Sequence, residues 1–149
     1  MTGVSIEFDR TTFDSRRSQV SAEKLIQAVR VRYPKLDSRS GVIAITPLDM
    51  YMEGVPQWRF AFSMRSREVR LAVISYARMD PQNLGAAPDD TLLQSRLRKM
   101  ITKNIGILYF GLPGTPTTQT TTNLKRTAHP RIPRSARATH SLADAYSPK

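Results

Sequence analysis

The sequence has no cysteine and only two histidines among its 149 residues. Without cysteine, disulfide bonds, thiolate catalysis and every zinc site built on sulfur ligands are excluded. No run approaches the roughly 18 to 20 consecutive apolar residues of a membrane-spanning helix, so no membrane segment is predicted. The first residues show no basic stretch followed by an apolar one, which favours the absence of a secretion signal and a cytoplasmic protein by default.

Acidic side chains are also scarce, with 12 Asp and Glu against 23 Lys and Arg and a formal net charge of +11. Residues 113–149 hold six Lys or Arg and one Asp, together with five of the ten prolines and eight threonines. No helical or strand period persists there, so we predict one folded domain over 1–112 and a disordered basic tail over 113–149. Such a tail can associate with nucleic acid through counterion release, or simply be solvated.

Hydrophobic periodicity in residues 1–112 predicts an α+β domain in three layers, with two main helices and a mixed, twisted sheet of about four strands. The first helix has Ser21 as its N-cap and Pro34 after its end, and the second begins at Asp89 or Asp90 and ends at Gly111. The strands are predicted at residues 4–8, 42–45, 57–64 and 69–78, the last two joined by a polar connection at 65–68. The continuously apolar strand at 42–45 is expected to be covered on both faces.

Four short blocks follow one another along the chain: Phe13–Gln19, Ile45–Tyr51, Trp58–Ser63 and Leu71–Arg78. They resemble, in order, four blocks of the archaemetzincins, which are compact zinc proteases of the metzincin type. The first is similar to Tyr-Asp-Pro-x-Arg-x-Gln-Tyr and the second to Ile-Thr-Asp-x-Asp-Leu-Tyr/Phe. The third stands in place of Asn-Phe-Val-Phe-Gly, and the fourth is similar to Val-Ala-Val-x-Ser-x-Ala-Arg-Leu. The resemblance covers residues 13–112 and implies a truncated metzincin-like fold.

In that family the last long helix carries His-Glu-x-x-His-x-x-Gly-x-x-His, in which three histidines bind zinc and the glutamate acts as general base. With Gly111 aligned on the motif glycine, the histidine positions fall at Asn104, Leu108 and Gly114 and the glutamate position at Ile105. None of these four residues can replace its counterpart. The resemblance therefore implies a degenerate member with no catalytic residue, no metal ligand and no zinc cofactor.

Two further groups of residues have both a structural and a functional interpretation. Trp58, Phe60 and Phe62 alternate along the third predicted strand, which in metzincins borders the substrate groove. With Asn104 they could line a surviving groove, although an aromatic stripe of this kind more often belongs to the core. The only histidines, His129 and His140, lie eleven residues apart in the basic tail and are interpreted as unrelated surface residues.

The leading functional hypothesis is a non-catalytic, peptide- or protein-binding metzincin-like domain that uses an edge strand. An active zinc peptidase would need ligands recruited from carboxylates such as Asp49, Glu53 or Asp80. A nucleic-acid-associated protein acting through its basic tail is a third hypothesis. A remnant without a selected function is the fourth, with a frameshift or truncation near Pro113 as its origin. The sequence identifies no partner, substrate or oligomeric state.

Overall fold

The computed structural model describes residues 8–37 and 39–114. These residues form an α+β fold, which confirms the predicted class. The elements, in chain order, are β1 Phe13–Asp14, β2 Gln19–Ser21, α1 Ala22–Arg32, β3 Val42–Thr46, β4 Met50–Tyr51, β5 Ser63–Ser66, β6 Leu71–Ser75 and α2 Asp90–Tyr109. Short 3-10 turns lie at Arg10–Thr12 and Gln82–Leu84. Residues 4–7 of the strand predicted at 4–8, and the predicted tail apart from residues 113 and 114, lie outside the described residues, and Phe8 is not in a strand.

The strands form two three-stranded sheets, ordered β1-β2-β4 and β3-β6-β5, where we predicted one sheet of about four strands. In the larger sheet β3 is parallel to β6 and β5 is antiparallel to it. The chain leaves this sheet after Thr46, because Pro47 has no N–H to continue a ladder and the Leu48 N–H bonds to Thr46 Oγ1 at 3.2 Å. It then enters the smaller sheet, in which β4 pairs in parallel with β2.

Helix α1 begins and ends as its sequence predicts. Ser21 is the N-cap and its side chain accepts a hydrogen bond from the Lys24 N–H. Tyr33 is the C-cap and immediately precedes Pro34, which disfavours further helix. The buried face consists of Ala22, Leu25, Ile26 and Val29.

Strand β6 lies at the centre of the larger sheet and all five of its residues are buried. Leu71 and Val73 belong to the core cluster formed with α1. Because side chains alternate along a strand, Ala72 and Ile74 point to the other face, against which α2 packs. The two helices therefore cover opposite faces of β6, as a three-layer arrangement requires.

Strand β3 is less covered than we predicted. None of its first four residues is fully buried, and the Ile45 side chain is 46% exposed. Its place at one end of the order β3-β6-β5 explains the difference, since only the central strand is flanked on both sides within this sheet.

The predicted strand over 57–64 is wrong for most of its length. Residues 58–62 have no strand structure, and β5 begins only at Ser63 and extends through Ser66. The Trp58 N–H instead closes a turn onto the Val55 carbonyl, and the Ala61 N–H bonds to the Met50 carbonyl at 2.7 Å. Ala61 therefore joins the core, while Trp58, Phe60 and Phe62, for which both a core and a groove position were considered, are half-buried.

Helix α2 runs from its N-cap Asp89, whose side chain accepts the Leu92 N–H at 2.8 Å, to the C-cap Phe110. A stripe of side chains spaced three and four residues apart, from Leu93 to Leu108, is half-buried in the first turns and becomes fully buried only near the end of the helix, where Asn104 and Leu108 lie. Gly111 then adopts the predicted left-handed conformation with φ of 63°. Within the described part of the chain, neither helix has the length and apolar character needed to cross a membrane.

Candidate functional site

An ion pair joins the buried Asp49, which immediately precedes β4 of the smaller sheet, to the half-buried Arg78, which follows β6, the central strand of the larger one. Arg78 Nε donates to Asp49 Oδ1 at 2.9 Å and Arg78 Nη2 donates to Asp49 Oδ2 at 2.8 Å. The Asp49 residue is 6% exposed. This two-point geometry matches the planar guanidinium to the planar carboxylate, which is the strongest form of such a pair.

The ion pair is extended by Gln19 on one side and Phe60 on the other. Gln19 Nε2 donates to Asp49 Oδ2 at 3.0 Å and to the Arg59 carbonyl at 2.9 Å. The Arg78 guanidinium lies over the Phe60 ring, 4.3 Å from its centroid, in a cation–π contact. Phe60 also packs edge-on against Phe62, with ring centroids 5.2 Å apart.

This network brings together one residue from each of the four sequence blocks. Gln19 ends the first block, Asp49 lies in the second, Phe60 in the third, and Arg78 ends the fourth. Each block contributes one residue to a single cluster that connects the smaller sheet and segment 58–62 to the end of β6 in the larger sheet. The sequence blocks contain these residues, but their contacts could not be predicted. The alternation of side chains along a strand does not indicate which polar residues meet across two sheets.

The three carboxylates considered as substitute metal ligands do not form a site. Both oxygens of Asp49 are occupied by Arg78. Glu53 is paired with Lys24 at 3.9 Å, and Asp80 Oδ1 accepts the Gln82 N–H at 2.9 Å. Across residues 8–37 and 39–114, no group of three His, Cys, Asp or Glu side chains is arranged to hold a metal ion.

The positions aligned with the zinc motif lie on α2 and just after it. Asn104 and Leu108 are buried, whereas Ile105 and Gly114 are half-buried. Leu108 and Gly114 offer no side-chain donor atom, and Ile105 cannot accept a proton. The side chains at these positions therefore do not fit a zinc ion, and no catalytic step can be derived through one.

Asn104 is fully buried but only partly hydrogen-bonded. Its Nδ2 donates to the Met100 carbonyl one turn earlier at 2.9 Å. Its Oδ1 is buried and has no hydrogen-bond partner among the residues that the structure describes. Native proteins leave few such atoms unpaired, so this oxygen needs an explanation beyond helix packing.

The aromatic residues proposed to line a groove are not equivalent. Trp58, Phe60 and Phe62 are all half-buried, but Phe60 is already engaged with Arg78 and Phe62. Among the described residues, Trp58 makes no aromatic or cation–π contact, in contrast to Phe60 and Phe62. Whether these side chains and Asn104 contact a ligand remains a prediction.

Two pKa shifts accompany contacts outside this region. Partial burial opposes ionisation of Glu23, but hydrogen bonds from the Glu53 and Gly54 N–H groups and from Ser21 outweigh it and lower its pKa. Burial, together with the Asp80 charge, raises the pKa of Tyr76. Both shifts follow from local packing and hydrogen bonding.

A surface cleft of about 320 Å³ lies at the end of α1. Its lining includes Arg30 and Tyr33 from α1 and Glu68 and Arg70 from the turn between β5 and β6. The cleft contains none of the site residues that the sequence predicted. Acidic and basic groups both line it, so its charge favours no particular ligand.

No family model and no curated protein sequence matches this chain. A zinc-dependent peptidase structure from Methanocorpusculum labreanum is similar, with 26% identity over 74% of this chain and 65% of that one, at a TM-score of 0.60. The archaemetzincin of Methanopyrus kandleri is 26% identical over 75% of this chain and 55% of its own, with a TM-score of 0.57. That of Archaeoglobus fulgidus, complexed with malonate, is 19% identical with a TM-score of 0.50.

The match therefore spans about two thirds of the length of the first of these structures and little more than half of the other two. The match supports an α+β, archaemetzincin-like fold for this chain. This chain is therefore archaemetzincin-like, with a zinc-peptidase fold in which the motif positions hold no zinc ligands.

Proposed function

We propose that this chain is a non-catalytic metzincin-like domain that binds an extended peptide or protein segment along strand β5. The carrying observation is the pair of buried residues, Asn104 and Leu108, at the positions of the two helical zinc ligands. Leu108 fills with a hydrocarbon side chain the place where a histidine would ligate the metal. With Ile105 at the general-base position, neither activation of water nor proton transfer has a group to perform it.

A zinc peptidase with atypical ligands is the enzyme alternative. It would have to draw Asp49 away from Arg78 and Gln19, which would leave the half-buried Arg78 guanidinium without its carboxylate partner. Breaking such a pair costs about 3–5 kcal/mol, which weighs against recruitment of this carboxylate.

Peptide binding is supported by the position of β5 in its sheet. Within the part of the chain that the structure describes, β5 pairs only with β6, so the opposite side of its backbone is available to another strand. Strand addition uses main-chain hydrogen bonds for affinity and side-chain contacts for selectivity. It needs no metal, so it can persist after the catalytic groups are lost.

The nucleic-acid alternative rests on the basic segment 113–149, of which the structure describes only residues 113 and 114. It remains a prediction from composition. Removing that segment and measuring salt-dependent binding to a DNA duplex would test it independently of β5.

A restored-motif variant provides the matched control for the loss of activity. Asn104→His, Ile105→Glu, Leu108→His and Gly114→His together rebuild the family motif around Gly111. We expect the natural chain to show no chelator-sensitive cleavage of unfolded casein or of a peptide library. The same natural chain should still bind members of that library. Chelator-sensitive cleavage by the natural chain would overturn the proposal. If neither the natural chain nor the restored-motif variant bound any peptide, the proposed peptide binding along β5 would be refuted.

A further inference from the structure

Strand β5 carries a half-buried arginine, Arg65, with one buried guanidinium nitrogen. Among residues 8–37 and 39–114, Arg65 Nη1 has no hydrogen-bond partner, and none of the ion pairs includes Arg65. Burial and the nearby charge of Arg67 both lower the pKa of Arg65. A cationic group in this position is costly unless an anion accompanies it.

The strand register shows which face Arg65 occupies. Arg65 pairs with Ala72 across the antiparallel β5–β6 ladder, and paired residues of neighbouring strands project to the same face. Ala72 lies on the face covered by α2, opposite the Leu71 and Val73 side chains that pack with α1. Arg65 therefore projects toward the layer that contains α2.

The contacts of α2 place Asn104 at about the same level. Tyr109 packs against Gly41 and Arg70, which immediately precede β3 and β6, and its hydroxyl donates to the Arg39 carbonyl at 2.9 Å. Near the other end of the helix, Arg96 bonds to the Met79 carbonyl, so α2 runs antiparallel to β6.

Asn104 precedes Tyr109 by five residues, which is about 7.5 Å along the helix axis. The same distance along a strand corresponds to roughly two residues. That distance brings Asn104 to about the level of Ala72, the register partner of Arg65. Arg65 and Asn104 are therefore placed in the same layer at about the same level, and each has one buried polar atom, Nη1 and Oδ1, without a partner among the described residues.

We propose that the space between β5 and α2 binds a carboxylate, supplied by an acidic peptide lying along β5, with Arg65 as its cationic partner and Asn104 as a neighbouring hydrogen-bonding group. This inference rests on the proposed function, whose peptide it now assigns to an acidic class. Charge complementarity selects the occupant, because Arg65 on β5 and the exposed Arg67 in the turn just after it are both cationic, and neither joins an ion pair among the described residues. In this proposal the positive charge that attracts the ligand comes from the Arg65 side chain and not from a metal ion.

The test uses the full chain and a set of fluorescent eight-residue peptides with strand-forming sequences. Each contains Glu or Gln at one position and ends in either a free carboxylate or an amide, so side-chain and terminal carboxylates are separated. Binding is followed by fluorescence anisotropy. We expect a Glu peptide to bind about tenfold more tightly than its Gln counterpart, as expected for a charged hydrogen bond. A tenfold preference confined to the free C-terminus would assign the carboxylate to the chain end.

Arg65→Gln should abolish this preference, and Arg67→Gln, which alters the exposed neighbour, should largely retain it. Thermal unfolding of both variants establishes that they are folded. Equal affinity of the Glu and Gln peptides for the natural chain would overturn the carboxylate inference while leaving peptide binding intact. Loss of the preference in Arg67→Gln as well would show general charge attraction and would also overturn it.

A second measurement separates failure of this inference from failure of the proposed function. The Nε–Hε resonance of Arg65 is followed by NMR during titration with sodium acetate, and with acetamide as the neutral control. A saturable shift with acetate alone, in a chain that binds no peptide, would retain the carboxylate site and refute strand addition. The absence of any acetate-specific shift would refute the carboxylate site. In a competition experiment, displacement of a bound Glu peptide by single-stranded DNA but not by acetate would refute it as well.

Discussion

Asp49 and Arg78, 29 residues apart in the sequence, form a two-point ion pair with donor–acceptor distances of 2.9 and 2.8 Å. The pair connects the two sheets, and Gln19 and Phe60 complete it from the two other sequence blocks. Residues that recur in the archaemetzincin-like blocks thus have a structural role independent of zinc. This separation explains how the fold can persist where the metal ligands are missing.

Asp49→Ala is expected to lower the free energy of unfolding by about 3–5 kcal/mol, because Arg78 and Gln19 lose a buried acceptor. Urea unfolding followed by circular dichroism measures the change. Glu53→Ala is the matched control, since its ion pair with Lys24 is long and exposed, and it should have little effect. Similar losses in the two variants would contradict a central role for the Asp49 network.

Asn104→Leu is expected to leave stability unchanged or to raise it by about 1 kcal/mol. The substitution removes a buried oxygen without a partner and puts an apolar side chain of similar volume on a buried helix face. Thermal and urea unfolding provide the measurement. A loss of more than about 2 kcal/mol would mean that the amide makes essential internal hydrogen bonds.

Gly111→Ala is expected to destabilise the chain by about 1–2 kcal/mol, because Gly111 has φ of 63° and a Cβ there strains the backbone. The added methyl would meet no atom within 4 Å, so the cost is conformational. Gly54→Ala serves as control, because Gly54 has no positive φ and its added Cβ would lie 3.7 Å from Glu23 Oε1. Equal effects on unfolding would refute the explanation.

Glu23 should contribute to the acid sensitivity of the fold. Its pKa lies below the ordinary value of 4.5 in the folded chain, so its stabilisation is present above that value and is lost as the pH falls through the folded pKa. Glu23→Gln should therefore flatten the decline of unfolding free energy on acidification below about pH 5. An unchanged pH profile would show that its bonds to the Glu53 and Gly54 N–H groups add no pH-dependent stability.

Local signals predicted the fold well where one residue decides the structure. Ser21 and Asp89 cap the two helices, and Gly111 has the left-handed conformation expected of a glycine at that place. The predicted strand at 57–64 failed because its alternation arises from other contacts. The Ala61 N–H bonds to Met50 and the Arg78 guanidinium lies on Phe60, and neither contact can be read from residue spacing.

The sequence placed the candidate site on the chain but did not predict the contacts around it. Asn104, Ile105, Leu108 and Gly114 could be placed by alignment on one glycine. The position of Arg65, whose buried Nη1 has no partner among the described residues, could not be predicted. The sequence indicates a polar hairpin connection at this residue, whereas the structure has it within β5. Its register with Ala72 is a property of the sheet and has no local sequence signal.

The zinc content of the purified full chain tests the central claim most directly. Protein exposed to equimolar zinc, freed of excess metal by gel filtration and measured by plasma mass spectrometry, is compared with the restored-motif variant. The account predicts substoichiometric zinc in the natural chain and close to one zinc per chain in the variant. One tightly bound zinc per natural chain, together with chelator-sensitive peptide cleavage, would contradict it.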